Sequence, residues 1–372
     1  MPRTTFPIER TATRLTVDLD ALAANWRSLR ARVNGVECAG IVKANAYGLG
    51  ADRVAPALWH AGCRRFFTAN HDGALAIRNL LPDADVYVLN GLLGDPKDYI
   101  ETGLTPVLNC LGQVETWQSH ARRAQRALPA VLHLDTGMHR LGLPPGEVAQ
   151  LRERPELLRS LDLQFIMSHL ACADDSDGAM NRRQLAAFHQ MRRGLPEFPA
   201  SLANSSGIFL GPDYHFDLIR PGYAVYGGNP TPGRPNPMQP VVGLSAQIIQ
   251  IRDVGPGETV GYGATYALKQ ATRIATIPLG YADGYMRAMS NQAAASIDGV
   301  AVPVVGRVSM DLVTLDIGAL PVEKAHVGTW VDLIRGNEML DDLAMRAGTI
   351  GYELLTALGG RYPRVYSGGG VS

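Results

Sequence analysis

CAGIVKANAYGLG, residues 38–50, decides how this chain is read. Its first half is an apolar run that ends on Lys43, and its second half is a loop with Tyr47, Gly48 and Gly50. A short apolar run closed by glycines has the pattern of a buried strand. A lysine at the mouth of such a strand is partly desolvated, which lowers its pKa and frees the amine to form a Schiff base. A hydroxyl and an adaptable glycine backbone beside it suit a phosphate. A solvated strand end is the plainer reading of one lysine, so the rest of the chain has to decide.

Working outward, the same kind of run recurs. After an isolated strand, LTVDL (15–19), and a helix through Trp26, the strand-like runs are CAGIVK (38–43), RFFTAN (65–70), DVYVL (85–89), LTPVL (104–108), PAVLHLD (129–135), LQFIMSHL (163–170), ASLAN (200–204) and HFDLIR (215–220). Stretches such as RVAPALWHAG and QVETWQSHARRAQ carry the three-to-four spacing of helices between them. Eight strands alternating with helices predict an α/β fold, a (β/α)8 TIM-type barrel, with a doubly wound sheet as the alternative. Near residue 228 the texture changes. GGNPTPGRPNPMQP reads as a linker. The runs after it, LSAQIIQI, RIATIPL, VAVPVVGRV, LVTLDI and WVDLI, are split by Gly and Pro and predict a mostly β domain. DDLAMRAG is a helical interruption, and GYELLTALGG a second candidate. The expected division is a barrel over 1–235 and a β-rich C-terminal domain over 236–372, with the isolated first strand a candidate to pack on the latter.

Composition excludes several classes. Formal net charge is zero, so no large electrostatic term favours nucleic acid or an anionic membrane. No stretch reaches the ~20 apolar residues of a membrane span. The opening MPRTTFPIERTATRLTVDLD has no apolar signal core, and Cys38, Cys63, Cys110 and Cys172 form no C-x-x-C pair. Reduced thiols, no metal centre and a cytoplasmic location are the expectation.

Chemistry in such a barrel gathers at the carboxyl ends of its strands. Lys43, Arg140, His169, Asn204 with Ser205, and Arg220 all fall there. Each alone has a duller reading: a capped loop for Arg140, a hydrogen-bonded core histidine for His169, helix caps for Asn204 and Ser205, a surface residue for Arg220. Together at successive strand ends they predict one site. A lysine suited to an aldehyde beside a phosphate grip points to pyridoxal 5'-phosphate (PLP) as the cofactor.

Nine blocks resemble the alanine racemase family in order and spacing, from about Leu15 to Val365: VKANAYGLG, LDTGMHRLG, SHLACAD, ANSSG, IRPGYAVYG, VGYGATY, IPLGYADGY, VGRVSMD and GYELLTALGGRYPRVY. The resemblance implies PLP-dependent interconversion of L- and D-alanine. Lys43 resembles the Schiff-base lysine, which is also one catalytic base, and Tyr262 the opposite base. Arg220 resembles the arginine facing the pyridine nitrogen, and His169 the histidine linking it to the tyrosine. Arg140 resembles the arginine near the cofactor phenolate and substrate carboxylate. Tyr47, Ser205, Gly222, Tyr223 and Tyr352 resemble the phosphate group's partners, with Asn204 beside them. Met310 resembles the residue whose backbone helps hold the substrate carboxylate. Tyr281 and Tyr352 resemble tyrosines that narrow the access path. The resemblance also implies a homodimer with shared sites, Tyr262 reaching the partner's barrel. It implies D-alanine biosynthesis as a peptidoglycan precursor, with D-alanine catabolism as the other role.

The two bases must be tuned, since lysine and tyrosine have free pKa values of ~10.4 and ~10. Arg220 bears on reaction choice. Two cations ~4 Å apart at an effective dielectric of ~20 repel by about 4 kcal/mol, or roughly three pK units. A pyridine nitrogen facing Arg220 therefore stays unprotonated, and the cofactor is a weaker electron sink, which disfavours transamination. One position departs from many members of the family, which carry a lysine modified to a carbamate two residues before the DTGM aspartate. His133 stands there, so Arg140 needs another anion, such as chloride, or a different partner, and the plainer reading of His133 is a neutral hydrogen-bonding replacement. Two other readings compete. A PLP-barrel amino-acid decarboxylase needs an acidic partner for the pyridine nitrogen and a cysteine-bearing motif, against Arg220 and VGYGATY. A non-catalytic PLP carrier is a single barrel, against the second domain with Tyr262 and Met310.

Overall fold

The computed structural model describes residues 11–175 and 177–370; the first ten residues, half of the opening stretch read for a signal core, lie outside the described residues. The first strand, β1 (Thr13–Asp18), pairs antiparallel with Val242–Gln247 and parallel with Arg364–Ser367. It therefore belongs to the six-stranded sheet of the second half of the chain. Asp18 caps the following helix, Leu19–Arg32, accepting from the Ala21 amide at 2.9 Å.

The barrel strands then run in sequence: β2 (Glu37–Cys38), β3 (Gly40–Ile41), β4 (Arg65–Thr68), β5 (Asp85–Val88), β6 (Thr105–Leu108), β7 (Leu128–His133), β8 (Leu161–Met167), β9 (Ala200–Ser201) and β10 (Leu218–Ile219). β3 to β9 form one parallel sheet in sequence order, and β10 pairs parallel with β2. β2 and β3 are two halves of one strand broken at Ala39. Closure comes from Asp217 N to Ala200 O at 3.0 Å and Arg220 N to Ala203 O at 2.9 Å. The expected barrel is present, with its sequential strand order excluding the doubly wound sheet. Phe67 of β4 and Phe165 of β8 are not on neighbouring strands, yet their rings lie 6.0 Å apart, with Tyr87 stacked on Phe67 at 4.7 Å. The interior is thus a packed core, as barrel interiors are.

The helical crossovers differ from expectation at the end. Helices follow the earlier barrel strands, but the connections after β9 and β10 hold only 3-10 turns, Gly207–Phe209, Pro212–Tyr214 and Tyr223–Tyr226. The Leu19–Arg32 helix packs over the last of them. Its buried Asn25 donates to Val225 O at 3.4 Å and Gln239 O at 2.9 Å. Its apolar face, with Leu22, Trp26 and Leu29, supplies the burial that a crossover helix would have supplied.

The proline-rich stretch 227–240 forms no regular element, but it is tied down at Asn229, Asn236 and Gln239. Beyond it lie the six-stranded sheet, a three-stranded sheet and a two-stranded ribbon, with helices Asn337–Arg346 and Gly351–Ala357. Among the described residues no helix is long and apolar enough to cross a membrane.

Candidate active site

Every barrel strand sends a residue to one end. Lys43 follows β3, Ala69 β4, Asn90 β5 and Asn109 β6; His133 closes β7, His169 follows β8, Asn204 β9 and Arg220 β10. All but Asn109 line a cavity of about 340 Å³, together with Tyr47, Arg140, Ser205, Gly222, Tyr223 and Tyr352. Asn109 stands directly behind His133.

The turn that carries Lys43 is strained. Ala44, Asn45, Ala46 and Tyr47 all have φ between 52° and 55°, a left-handed turn that costs L-residues about 1–2 kcal/mol each. Asn45 steadies it by accepting from the Ala51 amide at 2.8 Å. The final strand clamps it: Arg364 donates twice to Gly48 O, at 2.9 and 2.7 Å, and Tyr366 donates to Leu49 O at 2.8 Å. Strain of this kind persists only where surroundings over-determine it. Here it turns Lys43 and Tyr47 into one cavity. Burial, then the charge of Arg140, holds the Lys43 amine below its usual pKa.

Arg220 is 3% exposed and has no carboxylate partner among the described residues. It donates to Ser201 Oγ, to Ser168 O at 2.5 Å and, at 3.5 Å, to His169 Nδ1. The Ser201 hydroxyl itself donates to Leu218 O at 2.5 Å, so its lone pair faces the guanidinium. Burial pulls Arg220 down to about 9, which leaves it charged at neutral pH. Desolvation and then Arg220 hold His169 well below its usual value, so it is neutral. Gln184 fixes the turn bearing His169, donating to His169 O at 2.9 Å and accepting from the Ala171 amide at 2.8 Å.

The opposite wall suits an anion. Ser205 Oγ accepts from the amides of Gly222 and Ala224, at 3.0 and 3.2 Å. A Cβ at Gly222 would collide with the Tyr47 hydroxyl. Tyr223 stacks on Tyr352 at 4.2 Å. Burial pushes Tyr47 and Tyr223 up, and Tyr352 up to about 12, so all three hydroxyls remain protonated at neutral pH, that of Tyr223 donating to Asp341 Oδ1 at 2.6 Å. Asn204 lines the cavity and also caps its turn, accepting from the Gly207 amide at 2.9 Å.

PLP fits these residues: a hydroxyl-lined wall and, among the described residues, an amine with lowered pKa and no hydrogen bond, and a buried cation without a counter-ion. Among the lining residues there is no Asp or Glu.

Three site candidates lie elsewhere. Tyr262 sits on a 3-10 turn between Gly261 and Gly263, both at positive φ, and is 74% exposed. Tyr281 and Met310 are joined by backbone bonds, Tyr281 N to Ser309 O and Ala282 N to Met310 O, each 3.0 Å. Tyr262 and Tyr281 share a groove with Arg307 and Ser309. None of these three lines the barrel cavity of the same chain, whereas Tyr352 does.

The residues that hold the site from behind, Ser168, Ser201, Gln184, Asn109 and Arg364, were not singled out from sequence. Ser168 and Arg364 lie inside the matching blocks, and that was their only signal.

Fold and site together define a barrel enzyme with a β-rich second domain and a buried lysine at the barrel mouth. The alanine racemase N-terminal domain matches residues 17–230 and the alanine racemase C-terminal domain residues 241–366. An alanine racemase of Rhodospirillum rubrum is 49% identical over 363 residues, 97% of each chain. A catabolic alanine racemase of Agrobacterium fabrum is 48% identical over 360 residues, 96% of this chain and 93% of the other. Among solved structures, alanine racemase from Bartonella henselae with covalently bound pyridoxal phosphate superimposes with a TM-score of 0.92 at 39% identity, covering 96% of this chain and 100% of that one. The biosynthetic alanine racemase of Pseudomonas aeruginosa gives 0.89 at 34%, with the same coverage. The chain belongs to the alanine racemase family.

Proposed function

We propose that this chain interconverts L- and D-alanine on PLP with two opposed bases, Lys43 and the Tyr262 of a second copy. The observation that carries the reading is the cavity itself: Lys43, His169 and Arg220 at the ends of β3, β8 and β10, with a cation and no acid at its base. PLP supplies the electron sink that acidifies the α-carbon of a bound amino acid.

The chain's residues do the rest. Lys43 anchors the cofactor, and burial, followed by the charge of Arg140, lowers its pKa towards that of a working general base. Arg220 repels a proton from the pyridine nitrogen, keeping the sink weak and return of the α-proton fast. Ser205, Gly222, Tyr223, Tyr47 and Tyr352 hold the phosphate. Arg140 faces the substrate carboxylate and the cofactor phenolate.

Tyr262 needs a second chain because its own exposed turn lies outside its own cavity. Met310 and Tyr281 travel with it, so substrate contact and the access path also form across a homodimer. His169 accepts from Arg220 and offers its remaining N–H to that incoming tyrosine, favouring its deprotonated form. The decarboxylase reading lacks its carboxylate here, and a PLP carrier has no use for a second domain.

Incubation with L-alanine in deuterated water tests the reading. Deuterium at the α-carbon with D-alanine accumulating supports it. Carbon dioxide release, or neither product, overturns it.

A further inference from the structure

Arg140 lines the cavity as a cation with no hydrogen bond or ion pair among the described residues. The acid in its own loop is already engaged. Asp135 Oδ1 accepts from the amides of Gly137, Met138 and His139, at 2.9, 3.0 and 3.1 Å, and its Oδ2 lies 3.1 Å from His139 Nδ1. A long guanidinium without a partner has no fixed direction.

His133 lines the same cavity from the end of β7. Its Nδ1 is 2.7 Å from Asn109 Oδ1. The Asn109 amide cannot be reversed, because its nitrogen donates to Leu89 O and Val107 O, both at 2.9 Å, and carbonyls only accept. Asn109 therefore turns its oxygen to His133, and Nδ1 is the protonated nitrogen. Nε2 keeps its lone pair and receives no hydrogen bond from the described residues. The charged and titratable groups around this ring are Arg220, Arg140 and His169, with Asp135 the one acid. The two arginines oppose its protonation, Asp135 favours it, and His169 is neutral.

We propose that His133 is a positioning residue for Arg140: its imidazole, locked by Asn109, offers Nε2 as a neutral acceptor to the Arg140 guanidinium in the loaded site. The inference rests on the reading of Arg140 given above. A neutral acceptor differs from an anion in one useful respect. It directs the guanidinium without cancelling its charge, so the whole charge remains for a substrate carboxylate. A small anion such as chloride beside Arg140 is the competing arrangement.

The test starts on the unaltered holoenzyme. Histidine labelled with nitrogen-15, assigned through His133→Gln, should show a protonated Nδ1 and an unprotonated Nε2 for His133 at neutral pH, with Nε2 shifting when alanine is added. The opposite tautomer or an imidazolium overturns the proposal.

Kinetics supply the second arm. His133→Leu should raise KM for alanine about 10- to 100-fold, the range for a hydrogen bond to a charged group, with a smaller change in kcat. His133→Gln, whose amide oxygen restores an acceptor, should recover most of that loss. Arg140→Ala is measured alongside. An unchanged KM in Arg140→Ala overturns the reading of Arg140 itself. A raised KM there with an unchanged KM in His133→Leu overturns only this inference. Should His133→Leu fail to fold, the unaltered enzyme still decides. KM in chloride-free gluconate should match that in chloride, and a KM that falls as chloride is added makes the anion the partner instead.

Discussion

Arg220 Nη2 lies 3.5 Å from His169 Nδ1, and this distance fixes the histidine's state. A guanidinium only donates, so Nδ1 accepts and the His169 proton resides on Nε2. The contact is at the long end of the hydrogen-bond range. Arg220's firmer bonds go to Ser168 O and Ser201 Oγ. Its charge is therefore held by neutral oxygens and left uncancelled at the base of the cavity.

Arg220→Glu should change which reaction occurs. Glutamate can share a proton with the pyridine nitrogen, so racemisation should fall and pyruvate formation from alanine rise relative to it. Ser168 O would then face an acceptor, so the variant should also be less stable. Pyruvate and D-alanine are measured per folded, cofactor-loaded site. An unchanged product ratio would reduce Arg220 to a structural role.

Lys43→Ala should bind no PLP covalently and should lose racemisation in both directions. Borohydride treatment of the unaltered enzyme should fix a pyridoxyl group on one peptide, the one containing Lys43. A map placing it on Lys97, Lys269 or Lys324 would remove Lys43 from the anchoring role.

Tyr262→Phe should retain cofactor and lose activity by at least the ~10²–10⁴-fold of a missing general base. Mixed with Lys43→Ala under conditions that exchange subunits, it should recover about a quarter of unaltered activity, since about half the dimers are mixed and each holds one intact site. No recovery, with subunit exchange verified, would mean that both bases come from one chain.

Acid should expose His133. Burial first, and then Arg220, hold it at about 3, below its unfolded value. The unfolded chain therefore takes up a proton below pH ~6.5 that the folded chain refuses, at about 1.4 kcal/mol per pH unit. Stability falls as pH drops through that window. In His133→Gln the fall between pH 6.5 and 5.5 should be smaller by about 1 kcal/mol, read from urea unfolding at fixed PLP. Equal slopes would show that His133 is charged when folded.

Gly222→Ala should weaken PLP retention. The new methyl meets the Tyr47 hydroxyl, and Tyr47 cannot retreat because its ring packs on Tyr226 at 4.5 Å. Overpacking of this kind costs about 1–3 kcal/mol. Adding Tyr47→Phe should restore part of the stability, since the remaining contact is a ring carbon at 3.1 Å. Additive effects in the two single variants would show that the residues do not touch.

The barrel was legible because alternation of apolar runs and helical spacing is a local signal, and so was Lys43 at a strand end. The absence of helices after β9 and β10 was not. Nothing in 205–217 shows that the Leu19–Arg32 helix, far back in the chain, covers that side. Nor did VKANAYGLG reveal its left-handed turn, which only the distant Arg364 and Tyr366 hold in place.

The sequence by itself determined the strands, the two-part organisation, the family and the set of polar residues at strand ends, because each is carried by residue type and spacing. Tertiary structure alone decided their states. His133 is neutral and Nδ1-protonated because Asn109, 24 residues away, is itself fixed by two carbonyls. Arg220 is an uncancelled buried cation because Ser168 and Ser201 solvate it from 52 and 19 residues away. Tyr262 stands outside its own cavity because its turn projects from the second domain. Protonation and charge depend on what lies within a few ångströms, and separation along the chain does not encode that distance.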